Sequence, residues 1–101
     1  MAKMFEDNVR DDDRFEVVVP RNFALVCFRI KPRGTMKEED ADEANRELME
    51  RLNRTGKVYL AHTAVGNRFV LRFVVGSSLQ EERHVRSAWE LIKKTTSEIL
   101  K

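Results

Sequence analysis

Nucleophiles, acids, bases and metal ligands are sparse along these 101 residues. Cys27, the single cysteine, lies inside the apolar run Leu25–Ile30 and reads as a small buried hydrophobe rather than a reactive thiol. One cysteine excludes an internal disulfide and a multi-thiolate zinc site. His62 stands mid-strand in Leu60-Ala61-His62-Thr63, and His84 stands in the first turn of a helix. Neither has a second ligand at metal-site spacing, so both read as structural histidines. Ser77-Ser78 reads as helix capping, because it lacks the Gly-x-Ser-x-Gly setting of an activated nucleophile. Gly66 and Gly76 belong to no phosphate-cradling pattern. Asp11–Asp13 and Glu38–Asp40 read as solvated acidic faces, and Trp89 as core. The residues by themselves offer no catalytic, cofactor-binding or metal constellation.

Charge narrows the partners. Nineteen basic and seventeen acidic side chains leave a net +2, and the two signs are interleaved. No Lys/Arg block builds an electrostatic footprint for nucleic acid, so no nucleic-acid partner is expected. The segment Met1–Asp7 lacks the apolar core of a signal peptide, and no stretch approaches the length of a membrane span. The expectation is a soluble, cytoplasmic chain forming one domain over residues 1–101.

Whatever these residues do, secondary structure must position them. Met1, Phe5 and Val9, with Met4 beside them, recur at helical spacing, and three consecutive aspartates then meet the negative end of the helix dipole and stop it. A helix so close to the first residue points to a longer natural N-terminal segment. Phe15–Val19 is a β-branched strand ended by Pro20-Arg21-Asn22, and Phe23–Ile30 is a second, more apolar one. Thr35-Met36-Lys37-Glu38 fits a capping box, with Asp40 as the alternative start of the next helix. Ala41, Ala44, Leu48 and Leu52 line one face of that helix, Glu47 and Arg51 sit four apart, and Gly56 supplies the left-handed stop. Val58–Val65 and Phe69–Val75 form a hairpin around Gly66-Asn67. Ser78–Glu81 is a second capping box, opening a helix faced by Val85, Ala88, Trp89, Ile92 and Ile99.

The order αββαββα predicts an α+β fold of ferredoxin-like type, a four-stranded antiparallel sheet in the order 1-2-4-3 with the helices on one face. Alternation along the strands then leaves Leu25, Cys27, Val70 and Val74 on the opposite face, with Arg29 and Arg72 among them. A half-solvated sheet should be polar there, so this side is expected to dock against a protein partner, or to be hidden by loops or a second copy.

Several long blocks also resemble one family. Arg14–Arg21 and Leu25–Pro32 are similar to consecutive strands of the group II pyridoxal-phosphate decarboxylases. Asn53–Leu60, followed by His62-Thr63, resembles the plant tyrosine and DOPA decarboxylase branch. Phe69–Phe73 and His84–Ile92 resemble the family's last strand and helix, and Ala2–Glu6 the helix leading into its C-terminal small domain. The likeness spans the chain and is weakest over Arg33–Glu43.

That resemblance implies part of a homodimeric cytosolic lyase that decarboxylates aromatic amino acids, the cofactor serving as electron sink. It places the Schiff-base lysine, its aspartate partner and the phosphate loop in a preceding large domain. Lys3, Lys31, Lys37, Lys57, Lys93, Lys94 and Lys101 sit in no context resembling the lysine motif. The expected partner is therefore the missing large domain or a full-length subunit, with no cofactor bound and no catalysis by this chain alone. Arg29, His62 and Arg72 are expected toward the domain junction, on the active-site side. The rival reading is a free-standing ferredoxin-like module for RNA or a small metabolite. Arg68–Phe73 superficially resembles an RNA-binding aromatic strand, but it lacks that motif's glycines, and the element order differs. A further alternative is self-association through the exposed sheet face.

Overall fold

The structure is a computed structural model; it describes residues 2–22, 25–74 and 80–101, with the backbone alone for 19–22 and 80–82. Its elements run α1 (Ala2–Arg10), β1 (Phe15–Asn22), β2 (Leu25–Ile30), α2 (Glu38–Thr55), β3 (Ala61–Val65), β4 (Arg68–Val74) and α3 (Gln80–Ile99). The strands form one antiparallel sheet in the order β1-β2-β4-β3. The α+β fold, the element order and the strand order are those the sequence predicts.

Phe5 of α1 is fully buried at the centre of the core. Its ring meets Phe28 edge-on at 5.3 Å, Phe73 at 4.6 Å and Trp89 edge-on at 5.8 Å, so one side chain joins α1 to two strands and α3. Edge contacts of this kind add to plain area burial. The core also takes Val26, Ile30 and Leu71 from the sheet, Leu48 and Leu52 from α2, and Val85 and Ile92 from α3.

Three boundaries differ from expectation, each for a local reason. β1 continues through Pro20 to Asn22. It is an edge strand with register shifts between Val17 and Val19 and between Val19 and Asn22, and an edge tolerates a residue with no N–H. α2 begins at Glu38 rather than Thr35, after a turn in which Met36 N–H donates to the Arg33 carbonyl. Asp40 is a capping residue inside the helix, its carboxylate accepting from the Lys37 N–H at 3.2 Å. β3 starts at Ala61 rather than Val58, because Asn53 claims the backbone of Leu60. β4 is described to Val74, and the expected strand positions Phe23, Ala24 and Val75 and the start of the Ser78–Glu81 capping box lie outside the described residues.

The helix stop and the second hairpin form as their residues require. Gly56 adopts φ 74° and closes α2 with its N–H on the Asn53 carbonyl. Gly66 and Asn67 have φ 58° and 65°, two successive left-handed residues that match the right-handed twist of the strands they join. No helix among the described residues is long and apolar enough to cross a membrane.

Candidate functional site

The sheet opens at one end, and polar side chains fill the opening. Phe15 pairs with Ile30 while the adjoining bond runs from Lys31 N–H to the Arg14 carbonyl, so the N–H and C=O of Ile30 point away from β1. The β2–β4 ladder ends at Phe28↔Leu71, leaving both Ile30 groups without a strand partner. Asn45, buried on α2, takes them: its Oδ1 accepts from Ile30 N–H at 2.7 Å and its Nδ2 donates to the Ile30 carbonyl at 3.0 Å. Nδ2 also donates to the Ala41 carbonyl at 2.8 Å, which fixes the amide's orientation. Asn53, further along the helix, repeats the pattern on Leu60 at 2.7 and 2.8 Å. Asp42 accepts from the Phe69 N–H at 3.0 Å.

Arg29 lies in this opening. Its side chain is fully buried, with Glu38 Oε2 at 2.9 Å, Glu16 Oε2 at 3.2 Å and Asp42 Oδ1 at 3.6 Å, while Nε has no hydrogen-bond partner. A guanidinium with several forked donors can meet carboxylates from a strand and a helix at once, as a lysine cannot. The acidic run Glu38–Asp40 is therefore more than a solvated face: Glu38 holds Arg29, and Asp40 caps α2.

Asp12 departs from the solvated reading as well. It grips Arg14 in a two-pronged pair at 3.0 and 2.7 Å and accepts the Arg14 backbone N–H at 3.0 Å, while Arg14 Nη1 reaches Ser97 Oγ at 2.9 Å. The hydrogen bonds from the Arg14 side chain hold the Asp12 carboxyl below its ordinary pKa, against the opposing effect of partial burial. This clamp ties the α1–β1 turn to α3.

The expected site residues separate into two groups. Arg72 pairs with Cys27 across β4 and β2, so it shares the outer sheet face with Arg29, diagonally placed. Arg72 is exposed and Arg29 is not. His62, opposite Leu71, lies on the helix side, its ring stacked on Phe69 at 4.8 Å and 11°. Arg46 sits 5.1 Å from the same Phe69 ring. The outer face is also less open than alternation predicts. Val70 is fully buried and Cys27 nearly so, Leu25 is half-buried, and Val74 remains 69% exposed.

The residues do not fit a pyridoxal phosphate site. A resident cofactor needs a sheltered lysine and an acid or base opposite its pyridine nitrogen. All seven lysines are exposed or half-buried, and Asp12 and Asp42 are committed to Arg14 and to Phe69 and Arg29. Among the described residues, no group of three or more His, Cys, Asp or Glu side chains is arranged to hold a metal ion.

No protein-family model matches the chain. Tryptophan decarboxylase 1 of Oryza sativa subsp. japonica is 78% identical over 103 residues, covering 99% of this chain and 20% of the relative. Tyrosine decarboxylase 1 of Narcissus pseudonarcissus is 48% identical over 105 residues, again 99% of this chain and 20% of the relative. The crystal structure of Oryza sativa TDC with PLP superposes with a TM-score of 0.91 at 77% identity, covering 99% of this chain and 22% of that one. The chain thus spans about one fifth of the length of the curated relatives it matches. In both sequence and fold it is similar to about one fifth of plant aromatic amino acid decarboxylases.

Proposed function

We propose that the chain acts as the C-terminal small domain of a pyridoxal-phosphate-dependent aromatic amino acid decarboxylase, completing the fold beside the active site and inactive by itself. The observation that carries this reading is the near-complete superposition on about a fifth of a PLP-bound relative, in a chain whose own lysines do not fit the cofactor. In this reading the lysine and phosphate contacts come from the other four fifths. The outer sheet face, with Arg72 and Val74 open on it, meets that larger part. Arg29 acts from beneath, holding β1, β2 and α2 in one arrangement so that the docking face keeps its shape. His62 sits on the helix side of the same sheet and borders the junction from the β3 edge. Tryptophan is the preferred substrate in this proposal, because the tryptophan decarboxylase resembles the chain at 78% against 48% for the tyrosine enzyme.

Complementation tests the proposal. The chain is mixed with the remaining four fifths of the Oryza sativa relative, and CO2 release is followed with tryptophan, tyrosine and DOPA plus added pyridoxal phosphate. Activity should appear only in the mixture, and R72E with V74D should abolish it. CO2 release by the chain alone, or full activity of the larger part without it, refutes the reading.

A further inference from the structure

We propose a second site, on the opposite side of the molecule from the outer sheet face: a groove between α3 and the Gly56–Val58 corner that binds a small amphipathic anion, an organic carboxylate or sulfonate with a flat apolar body. The argument rests on how α3 distributes its residues. His84, Ser87, Ala88, Leu91 and Lys94 recur at helical spacing and share one stripe of the helix. Lys57 and Val58, just beyond the end of α2, face that stripe across an open groove of about 650 Å³. This volume lies within the range that small ligands occupy.

The floor and the rim differ in chemistry. Val58 and Ala88 are buried, and Leu91 is half-buried, giving an apolar floor. The exposed cations Lys57 and Lys94 stand on the rim, with His84 beside them. Among the described residues, no carboxylate reaches either lysine at ion-pair distance. The acid in the lining, Glu90, is engaged by Lys93 at 3.1 Å. Three other exposed cations of the helices have acidic partners: Lys3 with Asp7, Arg10 with Glu6, and Arg51 with Glu47. Two unmatched ammonium groups above an apolar floor select a ligand that has a negative head and a body to bury. A hydrated inorganic anion leaves the floor empty, and a neutral hydrocarbon leaves the rim unpaired. Ser87 supplies a hydroxyl at the wall for orientation. The site is independent of the docking proposal, since none of its lining residues lies on the sheet.

The probe is 8-anilinonaphthalene-1-sulfonate, titrated into the intact chain and followed by fluorescence. Saturable one-to-one binding is expected, weakened at least fivefold in the K57Q/K94Q double variant and weakened by 0.5 M salt. Both replaced residues are exposed, and an unchanged urea midpoint will show that the fold persists. L91Q keeps the cations and removes part of the floor, so it should also weaken binding. The uncharged N-phenyl-1-naphthylamine should bind less tightly and be insensitive to K57Q/K94Q. Non-saturable fluorescence, equal affinity in the double variant, or equal affinity for the uncharged dye overturns the proposal. Loss of the site on adding the larger part of the Oryza sativa relative also overturns it, since the occupant would then be protein.

Discussion

Replacing Asn45 with leucine tests whether a helix side chain serves as a rung of the sheet. Leucine has nearly the same size and a better helix propensity, so neither a large cavity nor backbone strain confuses the result. What it removes is the pair of hydrogen bonds that satisfy the N–H and C=O of Ile30, at 2.7 and 3.0 Å, in a residue buried on every side. A buried peptide group left unsatisfied costs about 1–3 kcal/mol, so two of them cost roughly 2–6 kcal/mol, with about 3–4 kcal/mol as the central value. Native stability for a domain of this size is on the order of 5–15 kcal/mol, so the variant should be close to the edge of folding. Urea denaturation followed by circular dichroism should show a lower midpoint with an unchanged slope, and Tm should fall by on the order of 12–20 °C. Asn53→Leu is the internal control. It frees the equivalent groups of Leu60, but Asn53 is only half-buried, and water can replace part of what is lost. Its cost should be about half as large. A loss below about 1 kcal/mol for Asn45→Leu, or equal losses for the two variants, refutes the argument from burial.

Two further predictions rest on charge. Arg29→Ala strands three carboxylates around the space it leaves and should cost about 2–3 kcal/mol, less than for a fully buried pair because those carboxylates are partly hydrated. Arg29→Met keeps the packing volume and should lose less; a urea series in which methionine is the worse of the two contradicts this. Asp12 supplies a pH dependence. Its folded-state pKa lies below the ordinary 3.8, so the clamp's contribution is complete above that value and is lost as pH falls through the lowered folded-state pKa. Asp12→Asn should remove that part of the acid dependence and leave the profile near neutrality flat; an acid limb unchanged in Asp12→Asn shows that the clamp carries none of it.

The fold was legible because its signals are local and agree with one another. Phe5 and Val9 mark α1, Ala41, Ala44, Leu48 and Leu52 give the buried stripe of α2, and Gly66-Asn67 is the turn a tight hairpin requires. Two short connections and one helical crossover then leave few ways to order four strands.

The site was only partly legible. Strand alternation made Arg29 and Arg72 look alike, two arginines among apolar neighbours on one face. Only the tertiary structure separated them, because β2 and β4 part beyond Phe28↔Leu71 and bring the start of α2, with Glu38 and Asp42, against Arg29. The same parting gives Asn45 its task, and no periodicity distinguishes an asparagine that completes a sheet from one that faces water. His62 was expected at the domain junction only through the family resemblance, and it acquired its neighbours, Phe69 and Arg46, from the packing of α2 on the hairpin. Patterns along the chain record which face a residue occupies. Partners that are far apart in sequence are set by where the elements pack, and a hydrogen bond or ion pair exists only once that packing has brought donor and acceptor within about 3 Å.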